Sequence, residues 1–336
     1  MINVAIIGAT GYTAEESIKI LLGHPEARVT YLTALPEECG RITEIFPAYR
    51  GRLDLPVEPI DLEKLSDLAD VALCCLPHTV SMQFVCQLLD AGVKVVDFSA
   101  DYRLHDAGLY RRVYEVEHCD ADNLSEAAFG LPELFRDGIG SARLVANPGC
   151  YPTAASLALA PLAKEKVIAL DDIVVNAVSG VSGAGRKAAL PFHFPEMNEN
   201  LFAYAVGTHR HQPEIEQIMA DVTGQAVKVL FQAHVVSMGR GIAESIYCQP
   251  LENRSSADLL DLLKTFYGDE PFVRVLDKPP ATKDVSNTNF CDLYVKCVKG
   301  KVVVFSAIDN LIKGAAGQAI QNMNLICSLP EATGLL

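Results

Sequence analysis

Ile2-Asn3-Val4-Ala5-Ile6-Ile7-Gly8-Ala9-Thr10-Gly11-Tyr12-Thr13-Ala14 opens with a short, nearly all-apolar run rich in β-branched residues and passes directly into a glycine-rich turn. Such a run predicts a strand buried on both faces, as in a parallel sheet. Behind the turn, Glu15-Glu16-Ser17-Ile18-Lys19-Ile20-Leu21-Leu22 carries apolar residues at helical spacing. Strand, glycine turn and helix in this order suit a dinucleotide: glycines let the backbone approach a pyrophosphate, whose charge then sits at a helix N-terminus. The spacing is G-x-x-G-x-x-A instead of the commoner G-x-G-x-x-G, and a tight turn without a ligand is the competing reading.

Working outward, further strands are expected at 28–33, 70–76 and 93–99, with a helix from Ser81 to Ala91. This alternation predicts a doubly wound parallel sheet that binds ligands at the carboxyl ends of its strands. Leu76-Pro77-His78 and Ser99-Ala100-Asp101-Tyr102-Arg103 directly follow strands and should face a cofactor. The second strand ends in Thr33-Ala34-Leu35, with no acidic residue for a ribose 2′-hydroxyl and with Arg41 nearby. That leans toward NADP, while Glu37 and Glu38 in the same loop pull the other way.

Beyond residue 150 the pattern changes. Strands are expected at 172–178, 227–236, 241–248, 290–298 and 301–308, the last two joined by a hairpin turn at Lys299-Gly300. This half reads as a mostly antiparallel sheet with helices on one face, and 310–325 reads as a closely packing helix of small residues. The expected fold is α/β plus α+β: a doubly wound, Rossmann-type domain over 1–147 completed by 310–336, and a catalytic and oligomerisation domain over 148–309.

A chain of 336 residues is long enough for two domains. No apolar run approaches the roughly 20 residues of a membrane span. Met1-Ile2-Asn3-Val4 has no basic region before its apolar core, so no signal peptide is expected and the cytoplasm is the expected location. The ten cysteines form no Cys-x-x-Cys pair and read as reduced thiols. A formal net charge of −14 argues against nucleic acid and anionic membrane as partners.

Three stretches carry chemistry. Asn147-Pro148-Gly149-Cys150-Tyr151-Pro152-Thr153, between Leu144-Val145-Ala146 and an Ala/Leu run, reads as strand, sharp turn and helix. Cys150 then falls at or just before a helix N-terminus, where free N–H groups and the macrodipole favour the nucleophilic thiolate. The competing reading is a buried small hydrophobe. Ser179-Gly180-Val181-Ser182-Gly183-Ala184-Gly185-Arg186-Lys187 is a donor-rich loop ending in two cations, suited to phosphate or carboxylate unless it is a plain solvated loop. Gly207-Thr208-His209-Arg210-His211-Gln212-Pro213-Glu214 leads into a helix with Pro213 near its first position. It offers an acid/base histidine with Glu214 as orienting partner, or two surface histidines; no third ligand supports a metal. One reaction uses all these parts: a thiolate attacks an acyl phosphate, phosphate leaves, and hydride from NADPH reduces the thioester. A short-chain dehydrogenase would need a Tyr-x-x-x-Lys pair, which is absent, and a non-catalytic NADP-binding sensor would not need Cys150, His211 and Arg186 together.

Gly8 to Thr13, Leu76-Pro77-His78, Asp97 to Arg103, Gly130-Leu131-Pro132-Glu133, Asn147 to Thr153, Ser179 to Arg186, Thr208 to Ile215 and Arg240-Gly241 resemble the N-acetyl-gamma-glutamyl-phosphate reductase family of arginine biosynthesis over nearly the whole chain. The aspartate-semialdehyde dehydrogenases share the glycine turn and the cysteine but not the wording around them, which leaves aspartyl phosphate as the second substrate reading. The resemblance implies NADPH-dependent reduction of N-acetyl-glutamyl 5-phosphate with Cys150 as nucleophile, and an acid/base histidine in the 209–211 pair, His211 preferred, beside Glu214. For the cofactor it implies Gly8, Thr10, Gly11, Tyr12, Thr13, Pro77, Ser99, Ser182, Gly183 and Asn310. For the anionic substrate it implies Arg103, Asn147, Ser179, Arg186 and Arg240, to which the reading of the cationic loop adds Lys187. It further implies a homodimer or homotetramer. The chain departs from the family pattern at Ala14, Thr79 and Ser237, and Ala34-Leu35-Pro36 replaces the Ser-Arg of a 2′-phosphate loop.

Overall fold

In the computed structural model, which describes all 336 residues, the opening run is strand β1 (Ile2–Ile7) at the centre of an eight-stranded sheet. The others are β2 (Ala27–Thr33), β3 (Gly40–Arg41), β4 (Pro56–Glu58), β5 (Val71–Cys74), β6 (Lys94–Asp97), β7 (Ala128–Phe129) and β8 (Leu144–Ala146). Their spatial order is β3-β4-β2-β1-β5-β6-β8-β7, and every neighbouring pair except β3/β4 is parallel. The all-apolar sequence of β1 follows from its position: Val4 and Ile6 enter the core on one face, Ala5 and Ile7 the core on the other. Helix Tyr12–Leu21 and the C-terminal helix Gly317–Ile326 cover the first face, contributing Ile18, Leu21, Ile320 and Met323. Helix Met82–Asp90 covers the second with Val85 and Leu88. This is the doubly wound architecture expected.

The second sheet has seven strands: β9 (Ile168–Gly180), β10 (Leu201–Tyr204), β11 (Val229–Val236), β12 (Ile242–Pro250), β13 (Val273–Val275), β14 (Cys291–Val298) and β15 (Lys301–Ile308). Their order is β10-β11-β9-β12-β15-β14-β13, antiparallel except for β11/β9 and β13/β14. The β14–β15 hairpin turns on Lys299 and Gly300, whose φ values of 49° and 76° fit the mirror-image turns that follow strand twist. One face is covered by helix Cys150–Lys164, buried from Tyr151 to Ala163. On the opposite face a cross-strand row of Leu230, Val174, Tyr247 and Val303 leaves Leu230 59% and Tyr247 43% exposed.

The chain divides into two compact units, Met1–Pro148 with Ala315–Leu336, and Gly149–Gly314. Residues 310–314, read from sequence with the first domain, fold with the second because Asn310 is tied there. Its Oδ1 accepts from the Gly241 N–H at 2.7 Å and its Nδ2 donates to the Ser182 hydroxyl at 3.0 Å. The segment 310–325 is not one α-helix: Ile312–Ala316 is a π-turn, and the regular helix begins at Gly317.

Glu244 on β12 is the most exacting group in the second unit. It is 2% exposed and points to the helix-covered face between Ala177 and Ser306, with neither carboxyl oxygen hydrogen-bonded. Burial pushes its pKa well above the usual carboxylate range, with Ser306 acting the other way. The folded state therefore holds a proton that the unfolded chain releases, and stability falls as pH rises from the ordinary carboxylate pKa toward the folded value. Glu244→Met should raise stability by about 1–3 kcal/mol near neutral pH and flatten its pH dependence. Urea unfolding at pH 5 and pH 8 checks this; equal destabilisation by the substitution at both would refute it.

Candidate active site

Strand β8 ends at Ala146, and Asn147 continues the ladder through its N–H to the Asp97 carbonyl at 2.9 Å. Pro148 and Gly149 then turn the chain. Gly149 caps helix Cys150–Lys164 in an extended conformation, so Cys150 is the first helical residue and is half-buried. Two glycines frame it. A methyl group on Gly314 would lie 2.7 Å from Cys150 Cβ, and one on Gly149 would lie 2.6 Å from His211 Nε2. The His211 ring thus lies against the residue that precedes the thiol, an approach only glycine allows. The Gly149 N–H, one of the donors a helix N-terminus leaves unpaired, goes to Glu214 Oε1 at 2.7 Å.

The two histidines differ. The helix expected to begin near Pro213 begins at His211, and Pro213 is its third residue. The reason is local: the His211 N–H donates to His209 Nδ1 at 3.1 Å, which closes the first turn earlier. His209 stands among the rings of Tyr151, Tyr204, Phe231 and His211 at centroid distances of 5.6, 5.4, 4.9 and 4.9 Å. Burial, helped by the Arg210 charge, lowers its pKa to about 4, so it is neutral at physiological pH.

In the same unit, Val181–Ala184 forms a 3-10 turn whose Ser182 holds Asn310. Ser179 is buried, with its hydroxyl on the Gly180 carbonyl at 3.1 Å, and a methyl on Gly183 would stand 3.0 Å from that hydroxyl. Arg186 and Lys187 are exposed. Arg240 Nη1 lies 3.2 Å from Asp309 Oδ2, a buried carboxylate, and 3.0 Å from Asn287 Oδ1. Such an anchored guanidinium keeps a fixed direction. Two buried charges here escaped the sequence reading: Asp309, and Lys313 over the Phe272 ring. Their signal was a pair of charges within an otherwise uncharged segment of small and apolar residues.

In the first unit, Gly8 has φ 84°, and a methyl there would strike the Cys75 carbonyl at 2.6 Å. Gly11 caps helix Tyr12–Leu21 with nothing within 4 Å of its open side. Thr10, Tyr12 and Thr13 flank that helix end, which leaves backbone donors accessible to a pyrophosphate. This part fits a dinucleotide. Pro77 is exposed at the end of β5. Ser99 and Arg103 are both buried and hydrogen-bonded within the first unit. Ser99 is buried, its hydroxyl on Asp97 Oδ2 at 2.6 Å, and Arg103 Nε and Nη2 donate to the Asn147 and Phe98 carbonyls at 2.8 and 2.7 Å. Asn147 Nδ2 donates to the Ala315 carbonyl and its Oδ1 accepts from Asn322. These three hold the strand ends in place.

Comparison with known proteins agrees with this arrangement. Residues 3–142 match the semialdehyde dehydrogenase NAD binding domain and 150–310 the semialdehyde dehydrogenase dimerisation domain, which sets the class as dinucleotide-dependent semialdehyde dehydrogenases. The chain is 48% identical to the N-acetyl-gamma-glutamyl-phosphate reductase of Citrifermentans bemidjiense and 45% to that of Rhodopirellula baltica, covering all of this chain and 98% of each relative. The chain belongs to the N-acetyl-gamma-glutamyl-phosphate reductase family. Its fold is also that of aspartate semialdehyde dehydrogenase II from Vibrio cholerae, at TM-score 0.74, 17% identity and 98% coverage of both chains. An aspartate semialdehyde dehydrogenase from Candida albicans, solved with NADP, matches at TM-score 0.74 and 18% identity over the full length of both.

Gly149→Ala should displace the His211 ring and lower turnover roughly 100-fold, as misplacement of about an ångström does. Dinucleotide binding should be unchanged. Steady-state kinetics beside dinucleotide titration check this; wild-type turnover would refute the contact.

Proposed function

We propose that this enzyme reduces N-acetyl-L-glutamyl 5-phosphate to N-acetyl-L-glutamate 5-semialdehyde and phosphate with NADPH, through a thioester on Cys150. The observation that carries the mechanism is the half-buried thiol at the first position of a helix, with the His211 ring packed against the residue before it. His211 accepts the thiol proton as Sγ attacks the acyl carbon. The carbon–oxygen bond to phosphate breaks, and the same proton passes to the departing oxygen. NADPH, when bound, supplies the hydride that reduces the thioester carbon. The carbon–sulfur bond then breaks, the aldehyde leaves, and sulfur regains a proton from solvent, the one proton the reaction consumes. His209, neutral in its aromatic surroundings, positions His211 through the bond to its N–H. Arg240, Arg186 and Lys187 take the anionic groups of the substrate, with Ser179 behind them, while Ser182, Gly183 and Asn310 belong to the cofactor-binding set.

The names of the full-length relatives support the acetylated substrate over aspartyl phosphate. The deciding experiment is phosphate-dependent NADP+ reduction with N-acetylglutamate semialdehyde beside aspartate semialdehyde. Turnover with the acetylated substrate is expected. It should fall at least about 1,000-fold in Cys150→Ala and about 100- to 1,000-fold in His211→Gln, with dinucleotide affinity retained. Preference for aspartate semialdehyde would overturn the substrate, and an active Cys150→Ala would overturn the thioester.

The enzyme works as a homo-oligomer built on a dimer through the open face of the second sheet, where Leu230 and Tyr247 are exposed beside Val174 and Phe305. Ten free thiols suit the reducing cytosol. Leu230→Asp with Tyr247→Asp should shift the protein toward monomer in analytical ultracentrifugation; an unchanged sedimentation coefficient would rule this face out.

A further inference from the structure

The first glycine turn lies against the end of β2. The N–H groups of Gly8 and Ala9 both donate to the Thr33 carbonyl, at 3.0 and 2.8 Å. From Thr33 the chain runs through Ala34-Leu35 into the 3-10 turn Pro36–Glu38, which brings Glu38 back to the glycine turn. The Thr10 hydroxyl donates to Glu38 Oε2 at 2.7 Å. In a sheet of this kind the end of the second strand is where a bound dinucleotide lays its adenosine ribose. A carboxylate there accepts from a free 2′-hydroxyl and repels a 2′-phosphate.

The segment from Ala34 to Arg41 has one cation that could offset this charge, Arg41. It is committed elsewhere. Its Nε donates to Asp54 Oδ1 at 2.7 Å, its Nη2 lies 2.6 Å from Asp54 Oδ2, and its backbone N–H goes to Glu44 Oε2 at 3.1 Å. Forming a 2′-phosphate contact would mean giving up a bidentate ion pair. The leaning toward NADP that Arg41 gives in the sequence therefore has no counterpart at this loop, whereas Glu38 is already within hydrogen-bonding distance of the glycine turn.

We propose that Glu38 is a specificity-determining residue of the adenosine site, accepting the ribose 2′-hydroxyl of NADH, so that the enzyme takes NADH alongside NADPH. This rests on the dinucleotide reading of the glycine turn. The two cofactors then share the nicotinamide end and differ only in how the 2′ position meets Glu38.

The test is direct titration of the intact enzyme with NADH and with NADPH, followed by nicotinamide fluorescence, for the wild type, Glu38→Gln and Arg41→Ala. The glutamine keeps an oxygen for Thr10 and removes the charge. Wild-type Kd values for the two cofactors should agree within about threefold, a difference under 1 kcal/mol. Glu38→Gln should move their ratio about tenfold or more toward NADPH, and Arg41→Ala should leave the ratio unchanged. If NADPH binds more than about tenfold tighter and Glu38→Gln does not move the ratio, the role of Glu38 is overturned while the dinucleotide site stands. A selective tenfold loss of NADPH in Arg41→Ala would also overturn it, by making Arg41 the determinant. If the wild type binds neither cofactor, the dinucleotide reading falls, and this proposal with it.

Discussion

The hydrogen bond from the Gly149 N–H to Glu214 fixes the point from which the chemistry of the second unit is arranged. A bond of this kind, buried and made to a carboxyl oxygen, is worth about 1.5–3 kcal/mol. It joins the first turn of helix Cys150–Lys164 to the first turn of helix His211–Thr223, so the thiol and the imidazole are set by two rigid elements and not by loops. It also has a chemical consequence. One of the N–H groups that a helix end could offer to a thiolate is already engaged by Glu214. The helix end alone is then a weaker activator than an uncapped one. On the proposed mechanism, removal of the thiol proton falls to the ring beside Gly149, which gives His211 work that a bare helix N-terminus would make unnecessary.

Burial separates two histidines that look equivalent in the sequence. His209 sits among four rings, where the protonated form loses hydration that no carboxylate replaces. It can accept the His211 backbone N–H because it is neutral. His-x-His reads as a symmetrical pair, but the structure makes one member part of the scaffold and leaves the other facing the turn that carries Cys150.

What could be read in the sequence depended on periodicity and on turn chemistry. β1, β5 and β6 are apolar runs long enough to be recognised, and the first glycine turn and the Pro148-Gly149 turn follow from backbone requirements that few residues satisfy. β4, β7, β10 and β13 are two to four residues long, too short for any period to show, and tertiary pairing decides them. The segment 310–325 reads as a plain helix because small residues tolerate close packing in any register. Its π-turn follows Asp309, whose carboxylate accepts the N–H groups of Leu311 and Ile312 at 2.9 and 3.2 Å and whose carbonyl accepts that of Gly314 at 3.0 Å. Charge partnership was the least legible property. Arg41 and Glu38 lie in one short loop, and only the fold shows that the cation faces Asp54 and the carboxylate faces Thr10.

Thr79 shows how a strained backbone position is held in place. Thr79 is a β-branched residue at φ 69°, in the left-handed region, which costs roughly 1–2 kcal/mol. The loop is kept in that shape from outside. Asp101, wholly buried, accepts the Thr79 N–H at 2.7 Å, the Met82 N–H at 3.0 Å and the Tyr110 hydroxyl at 2.7 Å. The same carboxylate thus fixes the strained residue and the start of helix Met82–Asp90. Each bond contributes about as much as the backbone strain costs, so three together outweigh it. Beside it, the Ala100 N–H donates to His78 Nδ1 at 2.9 Å, tying the two strand-end loops into one rigid edge. Glycine at position 79 would relieve the strain, but the conformation is set by Asp101, and for that reason the loop at the end of β5 can keep its shape with threonine.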